Sequence, residues 1–332
     1  MVIRKHGAIE DIVLENDYPE PHPGPKSVVV AVGATSLNYH DLFTLRGMPG
    51  IKVPMPMIMG IDIAGTIVEV GSDCGGWSPG DRVLIDPIDR VRWKLIGETF
   101  EGGLAERVVV DTHQLIRLPD PISFEQAAAL PVAYGTAYRM MVTRGAIAAG
   151  EKVLILGASG GVGTCCVQLA KMAGAEVVVC ASSEEKLKRL RELGADHGIN
   201  YAESDFAKEI HRLYGKPRMS GAPGGCDVVV NFTGGDTWVP SLNCLKVGGR
   251  LLTCGATAGY DPRTDIRYIW TYELNIVGSN GWHRTDLCDL LDLVGKKAIA
   301  PVIDKVLPLE KTREAFRMIE ERNVFGKVLL QP

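Results

Sequence analysis

The residues Gly157-Ala158-Ser159-Gly160-Gly161-Val162-Gly163 follow an apolar run, Val153–Leu156, and precede a helix-forming stretch from Thr164 to about Met172. A glycine-rich turn in that position suits an anion. Glycines let the backbone approach a pyrophosphate, and a helix N-terminus offers free N–H groups and a positive dipole. Against the pattern G-x-G-x-x-G the chain places Ala158, Gly160 and Gly163, with alanine first. A second apolar run, Val177–Cys180, and a second helical stretch, Glu184–Leu193, complete a βαβ unit, so the turn reads as a dinucleotide site. About 20 residues past such a turn, NAD-preferring chains carry Asp or Glu for the ribose 2′-hydroxyl. Here the residues are Ala181-Ser182-Ser183. With no carboxylate to oppose a 2′-phosphate, and with Ser182 and Lys186 to bond one, the expected cofactor is NADP(H). A helix cap by Ser182 or Ser183, with Glu185 completing a capping box, accounts for the same residues without a ligand. Glu184 or Glu185 turned toward the ribose would favour NAD.

Elements that must position this turn surround it. Upstream, Val28–Val32, Ile61–Val70, Asp81–Ile85 and Ala105–Val110 are β-branched runs separated by Gly and Pro. Ser123-Phe124-Glu125-Gln126 has capping-box form and opens a helix through Leu130. Six strand runs follow, at 153–156, 177–180, 197–200, 226–231, 250–254 and 275–278, alternating with helices. That pattern predicts an α/β fold with a doubly wound six-stranded parallel sheet of Rossmann type. Residues 215–225 read as a Gly/Pro-rich surface insert. A last helix with Leu309, Ala315, Phe316 and Ile319 apolar leads to a final strand, Lys327–Leu330.

The 332 residues are long enough for two domains at roughly 150 residues each. Hydrophobic content of 46% and charged content of 23% are those of an ordinary globular protein. A net charge of −4, without a Lys/Arg cluster, argues against a nucleic-acid partner. No stretch approaches the ~18 apolar residues of a membrane span. Met1-Val-Ile-Arg-Lys-His-Gly lacks the apolar run of a signal peptide, so the expected location is cytoplasmic. Eight scattered cysteines without a C-x-x-C pair are expected to be buried thiols.

The order of these pieces resembles the medium-chain dehydrogenase/reductase superfamily. The residues that carry the resemblance span nearly the whole chain: Leu37-Asn38-Tyr39-His40-Asp41, Arg46-Gly47, Gly60-Ile61-Asp62-Ile63-Ala64-Gly65, Pro79–Val83, Gly102–Glu106, Thr136-Ala137-Tyr138 and Gly157–Gly163. The resemblance implies a GroES-like β-rich catalytic domain, residues 1–122 completed by 282–332. It also implies a Rossmann NADP(H)-binding domain, residues 123–281, with the active site in the cleft between domains. Zinc-dependent members bind catalytic zinc through a cysteine, a histidine–glutamate pair and a second cysteine or aspartate. The matching places here are Asn38, Ile61-Asp62 and, approximately, Val132. Asn and Ile lack the soft donors zinc prefers. The four cysteines of the structural zinc lobe would fall between Asp86 and Gly102, where there are none. The chain therefore resembles the zinc-less branch of quinone oxidoreductases, zeta-crystallin-like enzymes and enoyl reductases, and no metal is expected.

Without a Lewis acid, hydride is best delivered to an acceptor that spreads charge, a quinone or an α,β-unsaturated carbonyl. The resemblance puts Asn38 at the lost ligand position, where its amide would donate to an oxyanion or merely brace a loop. Tyr39 and His40 are the nearest proton donors, and Asp41 is expected to be structural. Thr136 is expected beside the nicotinamide. Ser159, Gly160, Gly161, Val162 and Gly163 are expected at the pyrophosphate, and Ser182, Lys186 and Tyr201 at the adenosine phosphate. Tyr201 would otherwise be a half-buried aromatic. Thr233-Gly234 and Cys254-Gly255 end later strands, at the crevice where such sheets bind ligands. Gly97-Glu98-Thr99, Gly135–Met140 and Asp265–Trp270 are similar to crotonyl-CoA carboxylase/reductases. Glu98 is read as a solvated loop carboxylate rather than a substrate contact. Trp270, Trp282, Tyr260 and Met48 read as core before substrate wall. A catalytic tyrosine found after Arg-Gly in some enoyl-thioester reductases is replaced by Met48-Pro49. Strand 275–278 would be a sheet edge open to pairing, so a homodimer is expected. Other readings stay open: an alcohol dehydrogenase, an enoyl-CoA reductase, or a non-catalytic NADPH-binding sensor or crystallin-like protein.

Overall fold

Residues 152–278 alternate short strands, most of them Val/Leu/Ile runs, with helical stretches, and the strands form a parallel sheet. The computed structural model describes residues Met1–Pro332 and divides into two units, Met1–Ala133 with Arg284–Pro332, and Tyr134–His283. In the second unit the order across the sheet is His197–Asn200, Glu176–Ala181, Lys152–Ile155, Cys226–Val230, Leu245–Thr253, Asn275–Gly278. In chain order this is 3-2-1-4-5-6, the dinucleotide-binding topology. The strand Lys152–Ile155 is central, with Val153 opposite Val177 on one side and Val228 on the other. Its Val153, Leu154 and Ile155 are fully buried, as a strand covered on both faces requires. The fifth strand begins at Leu245 rather than 250, because Leu245 pairs with Cys226 before a shift in register. Asn275–Gly278 lies at one edge and is mostly exposed. No helix is long and apolar enough to cross a membrane.

In the first unit a sheet runs Ile303–Pro308, Lys327–Gln331, Ser27–Ser36, Asp62–Val70, Arg82–Ile85, Leu115–Arg117, and Arg107–Asp111 also pairs with Ser27–Ser36. The cuts expected at 122/123 and 281/282 therefore fall at 133/134 and 283/284. The helix Phe124–Ala128 explains the larger shift, because it packs on the strands Ser27–Ser36 and Asp62–Val70. A Cβ on Gly33 would stand 2.4 Å from the Phe124 ring. One position matters for the site. At the end of the strand Ser27–Ser36, Ser36 pairs with Asp62 on one side and with Leu329 on the other. Leu37 then donates its N–H to Val328 O at 3.0 Å. This register carries Lys327 and Asp62 to the residue that follows, Asn38. Six of the eight cysteines are buried, Cys254 is half-buried and Cys288 exposed.

Candidate active site

In the second unit every cofactor candidate but Thr136 follows the C-terminal end of a parallel strand. Gly157–Gly163 follow Lys152–Ile155, Ser182 and Lys186 follow Glu176–Ala181, and Tyr201 follows His197–Asn200. Thr233-Gly234 follow Cys226–Val230, and Cys254-Gly255 follow Leu245–Thr253. Gly157 turns the chain at φ +65°, and the helix Gly161–Met172 starts at Gly160 without a side-chain cap. A Cβ on Gly163 would stand 2.4 Å from Gly157 O and 2.5 Å from Ala158 Cα, so helix and turn pack backbone to backbone. On Gly160 it would meet only Gly157 O, at 3.7 Å, and φ −81°, ψ 175° suits any residue. Glycine there is not demanded by the protein's own packing. Open space beside uncapped N–H groups at a helix start is what a pyrophosphate needs, and the residues fit a dinucleotide.

Ser183, not Ser182, caps the helix Glu184–Glu192, its Oγ accepting from Lys186 N at 3.3 Å. Ser182 is exposed and takes no part in the cap. Glu184 pairs with Arg191 at 3.6 Å, along its own helix. Tyr201 is 51% exposed. Asn231 Oδ1 accepts from Thr233 N at 2.9 Å and Gly234 N at 3.0 Å, which orders the turn after the fourth strand. Thr136 lies buried in a helical run. Of the four aromatic or Met candidates read first as core, only Trp282 is buried. Tyr260, Trp270 and Met48 are exposed, because they lie in loops and on a short helix outside both cores.

In the first unit Asn38 precedes the helix Tyr39–Arg46 and is buried. Its N–H donates to Asp41 Oδ2 at 2.7 Å. Its Nδ2 donates to Asp62 Oδ2 at 2.8 Å and Ser36 O at 3.4 Å, and its Oδ1 accepts from Lys327 Nζ at 2.5 Å. Both amide atoms are engaged, so donation to an oxyanion would have to displace one of these bonds. Lys327 also donates to Leu37 O at 2.8 Å and approaches Asp62 Oδ2 at 3.4 Å. Asp62 Oδ1 accepts from Val132 N at 2.9 Å. Burial pushes Asp62 up and Lys327 down from their ordinary pKa ranges, each against the pull of the other's charge. Burial also pushes Asp41 up to about 7, although the Asn38 N–H opposes it. Sequence reasoning missed Lys327, whose signal was a lone cation inside the apolar run Lys327-Val-Leu-Leu.

His40 lies two residues on. Its Nε2 is 2.5 Å from Glu98 Oε2. Glu98 is 8% exposed, which corrects its reading as a solvated loop carboxylate. The loop is locked in. A Cβ on Gly97 would stand 2.8–2.9 Å from Gly60 backbone atoms, and one on Gly102 2.3 Å from Gly60 O. Burial lowers the pKa of His40, but the hydrogen bond and charge of Glu98, with Asp41, outweigh it and raise it above the usual histidine range. Tyr39 is half-buried and packs edge-on to Phe43 at 5.3 Å.

The positions that carry zinc ligands in zinc-dependent relatives do not fit that metal. Ile61 has no donor, and the donors of Asn38 and Asp62 are taken up by one another and by an ammonium. A second group, Asp89, Asp111 and His113, brings its ligand atoms within 4.8 Å of one another. Arg92 fills it, bonding Asp89 and, at 2.6 Å, Asp111. Burial opposes ionisation of Asp89, yet hydrogen bonds from Arg92 and its neighbours bring its pKa down to about 2. This is an ion-pair knot closed by arginine.

Residues 24–120 match the family model described as alcohol dehydrogenase GroES-like domain, and 161–296 the one described as zinc-binding dehydrogenase. The acryloyl-coenzyme A reductase of Sulfurisphaera tokodaii is 33% identical over 336 residues, covering 95% of each chain. A crystal structure of an NAD-dependent alcohol dehydrogenase superposes with a TM-score of 0.91 at 36% identity, covering 100% of this chain and 98% of that one. The 2-octenoyl-CoA carboxylase reductase CinF, in complex with NADP and 2-octenoyl-CoA, gives 0.83 at 30% identity, covering 94% and 80%. With both family models in the expected order and a relative this similar along nearly the whole chain, the protein belongs to the medium-chain dehydrogenase/reductase superfamily and is an NAD(P)-dependent oxidoreductase.

Proposed function

We propose that this protein transfers hydride from NADPH, without zinc, to a quinone or an α,β-unsaturated carbonyl, enoyl thioesters included. The observation that carries this reading is the state of the ligand positions. Asn38 and Asp62 are bonded to each other and to Lys327, which supports a reaction without a Lewis acid to polarise an isolated ketone. The exposed Ser182, and a Glu184 paired along its own helix, support NADPH over NADH. Bound NADPH would supply the hydride. The chain's own part is to hold that cofactor at the strand ends and to deliver a proton. Glu98 holds His40 by Nε2 and favours its charged form, which leaves Nδ1 as the donating atom. The names of two relatives, an acryloyl-coenzyme A reductase and a 2-octenoyl-CoA carboxylase reductase, support a conjugated thioester among the acceptors.

The test is NADPH oxidation with 1,4-benzoquinone, methyl vinyl ketone and acryloyl-CoA, with and without chelator, beside metal analysis of the purified protein. Turnover on at least one conjugated acceptor, faster with NADPH than NADH and indifferent to chelator, is expected. Stoichiometric zinc with chelator-sensitive oxidation of a simple alcohol would establish an alcohol dehydrogenase instead. Tight NADPH binding with no turnover on any acceptor would establish a non-catalytic binder.

A further inference from the structure

Lys327 lies in the strand Lys327–Gln331, whose next three residues are core. The residue itself is 2% exposed. Burying an ammonium is costly, and replacing a buried ion pair by apolar side chains is often neutral or stabilising. Stability alone therefore does not account for a lysine here. Its partners say more. Nζ donates to Leu37 O at 2.8 Å and Asn38 Oδ1 at 2.5 Å and stands 3.4 Å from Asp62 Oδ2. An ammonium only donates and a carboxylate only accepts. Between them the Asn38 amide has one possible orientation, because a flip would set NH2 against the ammonium and oxygen against the carboxylate. The Asn38 N–H in turn binds Asp41 Oδ2 at 2.7 Å, in the first turn of the helix that bears His40.

We propose that Lys327 is a positioning residue for the reaction: its ammonium is a fixed internal cation that sets the Asn38 amide and, through it, the first turn of the helix presenting His40. The role in turnover rests on His40 as the proton donor argued above; the orientation of Asn38 does not. Three titratable groups meet at Asn38, namely Lys327, Asp62 and Asp41; Asn38 donates to the two acids and accepts from the ammonium.

The test uses Lys327→Met and Lys327→Met/Asp62→Asn. The double variant removes the carboxylate that the single one leaves unpaired, and so guards against misfolding. Protein labelled with 15N-asparagine reports hydrogen exchange of the Asn38 side-chain amide, assigned through Asn38→Ser. The expected result is exchange at least about tenfold faster in both variants. With 1,4-benzoquinone, kcat falls by about tenfold or more while the KM for NADPH stays within about twofold. The double variant regains thermal stability without regaining kcat. Protection of the Asn38 amide at the wild-type level in the double variant, or a wild-type kcat there, overturns the proposal. Should wild-type protein turn over no acceptor, the reductase reading fails, and amide exchange still decides the role of Lys327.

Discussion

Two glycines of the same turn are present for different reasons, and one pair of substitutions separates them. A Cβ on Gly163 would lie about 1 Å inside ordinary contact with Gly157 O and Ala158 Cα. These are backbone atoms and cannot rotate away, so Gly163→Ala must lift the helix Gly161–Met172 from its turn. Overpacking of this kind costs about 1–3 kcal/mol. Against rigid backbone the upper end applies, and for a unit of this size it lowers the unfolding midpoint by about 6–12 °C. At Gly160 the added methyl meets only Gly157 O, at 3.7 Å, in a backbone conformation that alanine adopts freely. Gly160→Ala is therefore expected to fold as well as wild type, or to gain about 0.4–1 kcal/mol from a stiffer unfolded chain.

Cofactor affinity should move the other way. If the pyrophosphate lies over the N–H groups at the start of this helix, a methyl on Gly160 holds it off at least one of them. A hydrogen bond to a charged group contributes about 1.5–3 kcal/mol, so Gly160→Ala is expected to weaken NADPH binding by about 10- to 100-fold. Thermal unfolding of the cofactor-free variants and NADPH fluorescence titration measure the two effects separately. Gly160→Ala that binds NADPH within about threefold of wild type, or that is destabilised like Gly163→Ala, refutes the placement of the pyrophosphate.

Two further outcomes follow from buried acids. Asp41 has a folded pKa of about 7 against an ordinary value near 3.8. Folding therefore favours its protonated form, and the preference is lost as pH rises between these values. Its contribution to stability is fully present near pH 4 and falls by on the order of a few kcal/mol by pH 7. Asp41→Asn removes that slope, so the stability of the variant relative to wild type should rise over this window in chemical denaturation; a constant difference contradicts it. Glu98→Gln removes the charge that holds His40 above its ordinary range and leaves the burial that lowers it. The alkaline limb of the pH–rate profile should move to lower pH, with the greatest loss of rate above neutrality, whereas an unmoved limb would remove His40 as the acid.

Most strands of the nucleotide unit were legible because they are short runs rich in Val, Leu and Ile, too short for a helix. The turn at Gly157–Gly163 was legible because its chemistry is local. What stayed hidden depends on register. Asn38, Asp62 and Lys327 are separated by 24 to 289 positions, and they meet only because Ser36 pairs with Asp62 on one side and Leu329 on the other. Inside its run Lys327 looked like the first residue of an ordinary strand. Glu98 was misread because loop glutamates are usually solvated; the interlocked backbones of Gly60, Gly97 and Gly102 fold this loop inward. The helix Phe124–Ala128 was assigned to the nucleotide unit by order along the chain, although its phenylalanine fills space over Gly33 in the other unit.

The two halves of the candidate site should therefore respond differently to change. The pyrophosphate candidates rest on backbone N–H groups at one strand end, which any sequence that keeps the turn will keep. The group around Asn38 has no such redundancy. Asp62 gives it Oδ2, while its Oδ1 accepts from Val132 N; Asn38 gives both amide atoms, and Lys327 closes it. Removing one member leaves a buried charge without a partner, which typically costs about 3–5 kcal/mol. A single step toward a zinc ligand at Asn38 would break the lysine's bond before any metal could form one. On this scaffold a passage between ammonium and metal would have to be made by more than one residue at once.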